Sequence, residues 1–258
     1  MFGAAGWTKI AFDAQTLTWA KAARDVGRRV VQDPKMRQTW LQCQGTWFVG
    51  VDALPTDHLG AIAGVALGDA IQTLLTARAY KPLHPAQLSV IYDGYPKPRE
   101  GESEAGFRYR LNRDAAHVDG VLGVGTPKRR MVKEPHGVII GIPLTDPVAG
   151  ASPMVVWEGS HTILRSAFAR AFSGTDPSSW SDIDVTEIYT STRKQVFETC
   201  KRVVVEARVG EAYAIDPLCL HGVAPWTATD HHDPDGRMVA YFRPELSNIA
   251  DWLDAGAG

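Results

Sequence analysis

The run His136-Gly137-Val138-Ile139-Ile140-Gly141-Ile142-Pro143-Leu144-Thr145-Asp146, followed after one Gly/Pro-rich turn by Met154-Val155-Val156-Trp157, sets the fold class. Both segments are short, aliphatic or β-branched, and closed by turn residues, which is the composition of buried strands. Working outward, runs of the same kind recur over 107–111, 203–209, 212–215 and 237–242, punctuated by Gly, Pro and Asp. Short strands at this spacing predict an antiparallel sandwich or barrel. The stretch 162–202, rich in Ser, Thr, Asp and Arg, reads as a helix-leaning insertion into that β core.

Upstream, Leu17, Ala20, Ala23, Val26, Val30 and Val31 recur at close to helical period over 16–31, and Asp33-Pro34 stops the helix. Residues 45–51 and 87–92 read as strands. Residues 59–80 read as the longest helix, with Gly60, Gly64 and Gly68 spaced by four to make a flat face against a sheet. The expected architecture is mainly β with flanking helices and comprises one domain over 1–258. Within it, 1–106 form an N-terminal layer of helices and strands, and 107–246 form the core.

A chain of 258 residues with 45% hydrophobic side chains can bury a sizeable core, and a net charge of −2 gives no reason to expect nucleic acid as a partner. Cys43, Cys200 and Cys219 are odd in number and lack any Cys-x-x-Cys pair, so neither a disulfide framework nor a structural zinc site is expected, and a cytoplasmic location fits. No signal peptide or bilayer-spanning run is read. There is no Gly-x-Ser-x-Gly elbow and no phosphate-cradling Gly-rich loop.

The stretch Arg108-Tyr109-Arg110-Leu111-Asn112-Arg113-Asp114-Ala115-Ala116-His117-Val118-Asp119-Gly120 places an imidazole and a carboxylate two residues apart. On extended backbone such positions share a face, so one metal ion could take both, and a second, distant His would complete a facial triad. The pair alone says little, because about one His-x-Asp arises by chance in a chain of this composition, and His231-His232-Asp233 is a second copy. That copy lies in an Asp/Pro/Gly turn with no His after it, and reads as a solvated turn.

Order separates the two. After His117-Val118-Asp119 come the apolar strand ending Leu144-Thr145-Asp146, the strand running to Gly159-Ser160-His161, the turn Gly210-Glu211, then His221, and finally Arg237 opening a last strand. In this order the sequence resembles the phytanoyl-CoA dioxygenase family of Fe(II)- and 2-oxoglutarate-dependent oxygenases, over about residues 107–244. The resemblance implies a double-stranded β-helix, with His117, Asp119 and His221 as iron ligands and Arg237 holding the far carboxylate of 2-oxoglutarate. It further implies an O2-dependent hydroxylation of an unactivated C–H bond in a small organic substrate, with release of succinate and CO2.

Two departures bear on this. Glu211 stands where the family has Asp, and the gap from His221 to Arg237 is long, which makes Arg243, on the same strand face, the alternative anchor. His136 and His161 are read as structural, and Cys219 as packing. Asp119 argues against the related halogenases, which lack the carboxylate. A redox-inert cupin-type isomerase or lyase, or a non-catalytic binding protein of the same fold, remain the competing readings, and Arg237 discriminates because neither needs a diacid anchor. Substrate choice is expected to reside in the N-terminal layer, the 120–135 loop and the insertion. An anionic substrate would be favoured if Lys128, Arg129, Arg130 or Lys133 faced the iron.

Overall fold

The computed structural model describes residues 2–229 and 233–254. The first helix, α1 (Ala14–Gln32), follows the edge strand β1 (Trp7–Ile10) and is capped by Asp13, whose carboxylate accepts from the Thr16 N–H at 2.8 Å. Its buried side is Trp19, Ala20, Ala23, Gly27 and Val31, the stripe set by the helical period. Asp33 then caps a second helix, α2 (Pro34–Trp40), so the Asp-Pro pair both ends one helix and starts another. Strands β2 (Leu41–Gln42) and β3 (Trp47–Leu54) follow.

Residues 59–80 do not form one long helix. Only α3 (Asp69–Thr76) is helical, and α1 is longer. Asp57 accepts from the N–H groups of Leu59 and Ala61, both at 2.9 Å, and Gly60 and Gly64 take positive φ of 81° and 78°. Gly60 and Gly64 therefore serve turns and Gly68 is the N-cap of α3, while α1 pins the segment by donating Trp19 Nε1–H to the Gly60 carbonyl at 2.8 Å.

After β4 (Ala86–Ile91), residues 107–111 are also helical rather than extended, within α4 (Glu104–Asn112). Phe107, Tyr109 and Leu111 alternate as a strand would, but Ser103 caps the helix on the Gly106 N–H and Glu104 pairs with Arg108 one turn on. The 120–135 loop is a hairpin, β5 (Val121–Val124) with β6 (Arg129–Val132).

Strands β7 (Ile139–Pro143) and β8 (Met154–Trp157) lead into the insertion. It consists of α5 (Ser160–Phe172), a 3-10 segment Pro177–Asp182 and α6 (Thr186–Thr199). Strands β9 (Arg202–Val205), β10 (Ala212–Ile215), β11 (His221–Val223) and β12 (Arg237–Phe242) complete the chain's β content. The 203–209 expectation is thus half filled.

The large sheet runs β1-β10-β7-β12-β4-β3-β2 and the small one β11-β8-β9, all antiparallel. A backbone bridge between His117 and His221 adds a fourth row to the small sheet. From β4 onward the chain passes repeatedly between the two sheets, which makes the core a double-stranded β-helix of the jelly-roll kind. Ile139, Met154, Val156, Tyr213, Ile215, Val239 and Tyr241 fill the space between the sheets. The opposite face of the large sheet, with Leu88, Ile140, Ile142 and Met238, is covered by the N-terminal helices, and the outer face of the small sheet, with Val155 and Trp157, by α5 and α6. The N-terminal segment is more than a covering layer, since its strands extend the large sheet at both edges. Among the described residues, no helix is long and apolar enough to cross a membrane.

Gly141 gives way to the ring of Tyr213, where a Cβ would lie 2.2 Å from Cζ. Gly141→Ala is expected to destabilise the fold by about 1–3 kcal/mol through overpacking, read as a lower midpoint in urea or thermal melts.

Candidate metal centre

The helix α4 ends at Asn112, and Asp114 and Ala115, both at φ 53°, turn the chain sharply toward the core. The turn is docked at two points. The Asp114 carboxylate takes a two-pronged contact from Arg202 at 2.7 and 3.0 Å, and its carbonyl accepts from the Val223 N–H at 2.8 Å. Gly222 allows this approach, because a Cβ there would meet the Asp114 carbonyl oxygen at 2.2 Å. His117 then pairs with His221 through both backbone bonds, N–H to C=O at 2.8 Å and the reverse at 3.1 Å.

The bridge brings three groups together across more than a hundred residues of sequence. His117, Asp119 and His221 each offer one ligand atom, and these atoms all lie within 4.8 Å of one another. Nε2 of His117 is 3.1 Å and Nε2 of His221 is 3.7 Å from Asp119 Oδ1, with the imidazole centroids 4.6 Å apart. Two ligands about 2.1 Å from one ion and at right angles stand about 3 Å apart, close to the shorter spacing.

The remaining nitrogens define what those Nε2 atoms are. Nδ1 of His117 is 3.0 Å from the Ala115 carbonyl, and Nδ1 of His221 is 2.9 Å from the Cys219 carbonyl. A carbonyl oxygen only accepts, so both Nδ1 atoms carry the proton, and in the neutral rings both Nε2 lone pairs face the carboxylate. As N–H donors the same two nitrogens hold the Asp119 carboxylate directly; as lone pairs they need a cation between themselves and the carboxylate, and the donor set fits a metal ion in that role. His221 and Asp119 are buried, whereas the His117 side chain is 50% exposed, so the cluster opens on that side.

Burial alone would raise the Asp119 carboxyl, but the Arg243 guanidinium and the two imidazoles outweigh it and hold the group well below the usual carboxylate range. Arg243 Nη1 lies 3.5 Å from Asp119 Oδ2. The two carboxylate oxygens are thereby divided, one facing the imidazoles and the other the arginine. A cavity of about 180 Å³ adjoins Arg243, lined also by Gln87, Glu134, His136 and Tyr241.

Arg237 occupies the other end of β12, with its guanidinium beside the hydroxyls of Tyr241 and Tyr213, which bond to each other at 3.0 Å. Its Nη1 is buried and has no hydrogen-bond partner, and among the described residues no carboxylate pairs with it. A buried guanidinium nitrogen without an acceptor is an unmet demand for one, and an anion would meet it. A cavity of about 860 Å³ opens beside it, bounded by Pro143, Thr145, Met154, Tyr213 and Val239.

Other residues singled out in the sequence lie apart from the cluster. His161 sits near the buried Asp216–Arg165 pair, and burial, partly offset by Asp216, lowers its imidazole. His136 contacts Glu134 at 3.2 Å. Burial pushes the Cys219 thiol up to about 12, and its Sγ receives the Ser160 hydroxyl at 3.5 Å, so it stays protonated. Arg129 and Lys133 are each 3.0 Å from insertion carboxylates, Asp184 and Asp182, which answer their charges and remove them from the argument for an anionic substrate. His231 and His232 lie outside the described residues, while Asp233 and Asp235, before Arg237, pair with arginines of α1. Sequence reasoning missed the Tyr213–Tyr241 pair, although both tyrosines sit at inward parity on their strands.

No known sequence family and no curated protein matches the chain. Solved structures do share its fold. The non-heme alpha-ketoglutarate-dependent carbocyclase SnoK from nogalamycin biosynthesis is 15% identical, with a TM-score of 0.51 over 96% of this chain and 85% of that one. EctD from S. alaskensis, crystallised with bound Fe, is 14% identical, with a TM-score of 0.50 over 95% of this chain and 74% of that one.

The packing of Cys219 separates it from the groups that could hold a metal. Cys219→Ser is expected to leave the affinity for Co(II) within about threefold of wild type, while His221→Ala lowers it by about a hundredfold or more, both read by calorimetric titration.

Proposed function

We propose that this protein is an Fe(II)- and 2-oxoglutarate-dependent oxygenase that hydroxylates a C–H bond of a small organic molecule. The observation that carries the reading is the donor set at the His117–His221 bridge, buried at Asp119 and His221 and open on the His117 side, with two Nε2 atoms and one carboxylate oxygen converging at the double-stranded β-helix. Two neutral imidazoles and one carboxylate leave an Fe(II) site at about +1 with open positions, suited to a chelating dianion. The two solved structures named above are, by their descriptions, an alpha-ketoglutarate enzyme and an iron-bound protein on this fold, which supports the same choice of metal and co-substrate. Placement within the phytanoyl-CoA dioxygenase family rests on the ordered segments from His117 to Arg237.

With both groups bound, the centre supplies O2-dependent oxidative decarboxylation of 2-oxoglutarate to succinate and CO2, coupled to a two-electron oxidation of the substrate. The protein's own residues bind and orient. His117, Asp119 and His221 hold the metal, with each imidazole kept in one tautomer by its carbonyl. Arg243 holds the second Asp119 oxygen, so that the carboxylate offers one oxygen to the metal. Arg237, whose buried Nη1 has no hydrogen-bond partner among the described residues, would answer the distal carboxylate of the co-substrate, and Tyr213 and Tyr241 keep its guanidinium in place. Asp119 occupies the position that the related halogenases leave open for halide, which favours oxygen transfer. SnoK, on the same fold, is described as a carbocyclase, so ring closure is the outcome to be told apart from hydroxylation. A product that has gained one oxygen atom distinguishes hydroxylation from a cyclised product that has lost two hydrogens.

The expected result with Fe(II), ascorbate and 2-oxoglutarate is O2-dependent succinate formation that Asp119→Ala abolishes. Arg237→Ala should raise the KM for 2-oxoglutarate by about two orders of magnitude and leave metal binding intact. Turnover that ignores 2-oxoglutarate and survives Arg237→Ala would instead identify a redox-inert isomerase or lyase. Metal binding without any turnover would identify a binding protein.

A further inference from the structure

The segment 116–118 is the outermost row of the small sheet. His117 points both of its backbone groups inward to His221. In an antiparallel row the neighbouring groups, the Ala116 carbonyl and the Val118 N–H, point the other way, where an edge strand has no partner. Two phenols stand in that place. Tyr109 of α4 donates its hydroxyl to the Ala116 carbonyl at 2.7 Å, and the Val118 N–H donates to the hydroxyl of Tyr189 of α6 at 2.9 Å.

Arg193, one turn after Tyr189, joins the two. Its guanidinium lies 4.5 Å from the Tyr189 ring centroid and 5.2 Å from that of Tyr109, and its Nη1 donates to the Tyr109 hydroxyl at 2.9 Å. Tyr189 and Val118 are both 2% exposed, so water cannot take over the bond if the hydroxyl is removed. Val118 is the single residue between His117 and Asp119, and the plane of its peptide sets the direction in which those two side chains leave the chain.

We propose that Tyr189 is a positioning residue for the metal centre, acting from the insertion through the Val118 N–H, with Arg193 holding the two phenols in register. The inference rests on the metal-ligand reading above. It assigns the insertion a part in building the centre, in addition to covering the small sheet.

Tyr189→Phe keeps the ring and its stack and removes only the hydroxyl. Wild type and variant, each folded and metal-free, are titrated with Co(II) under anaerobic conditions, reading the dissociation constant, the visible ligand-field absorption and the metal-free melting temperature. The expected result is at least about tenfold weaker Co(II) binding with an altered band shape, while Tyr95→Phe, a buried tyrosine outside the cluster, matches wild type. An unchanged dissociation constant and spectrum in Tyr189→Phe overturns the proposal whatever its melting temperature, because a purely structural tyrosine moves only the melt. Should Tyr189→Phe not fold, Arg193→Leu leaves both hydroxyls and removes what holds them. Weaker binding there supports the proposal and unchanged binding overturns it. A folded wild type that binds no Co(II) overturns the ligand assignment itself, and the inference with it.

Discussion

Two backbone hydrogen bonds between His117 and His221 are the constraint on which the centre depends. They join the segment after α4 to β11, put two imidazoles on one side of the small sheet, and bring Asp119 under them. A carboxylate in that interior is unfavourable unless cationic groups surround it. Arg243 supplies one, and the gap between the two Nε2 lone pairs and Oδ1 accommodates another. The turn at Asp114 and Ala115, the close approach at Gly222 and the Arg202 contact all fix the course of the chain into this bridge.

Arg237, which opens β12, and Arg243, which follows its last residue, differ in what answers them. Arg243 faces the Asp119 carboxylate, and Arg237 faces the phenols of Tyr213 and Tyr241 with no carboxylate beside it among the described residues. The strand rises about 3.3 Å per residue, so six residues separate their Cα atoms by about 20 Å, and side-chain reach shortens that distance. Parity alone cannot choose between them as an anchor, because both lie on the inner face. Charge does separate them: the Arg243 guanidinium already stands beside Asp119, whereas the buried Nη1 of Arg237 has no partner among the described residues.

Much of this was legible before any coordinates. The strands 154–157, 212–215 and 237–242 coincide with β8, β10 and β12, because aliphatic runs closed by turns have few alternatives. The grouping of His117, Asp119 and His221 was implied by the family resemblance that the ordered segments carry, and their ligand atoms do lie within 4.8 Å of one another. Helix 59–80 failed because glycine spacing carries no sign of φ, and an Asx turn at Asp57 decided the matter. The stretch 107–111 failed because alternation over five residues fits a strand and a capped helix equally well, and Ser103 and Glu104 tip it to the helix. Tyr109, Tyr189 and Arg193 left no local signature, since their meeting point belongs to segments some eighty residues apart.

The position of β12 has a consequence for how the molecule comes into being. It is the last strand in sequence, yet it lies between β7 and β4, at the centre of the large sheet. Until it is synthesised, the nascent chain holds two half-sheets, β10 with β7 and β4 with β3, each presenting an unpaired edge. Trp7 of β1 must likewise wait for Ile215. Such long-range pairings slow folding and leave edges open to foreign strands. His117 and Asp119 are therefore made long before the sheet beside them can close, whereas His221 precedes β12 closely in sequence, so the cluster and the large sheet are completed by the same late stretch of chain.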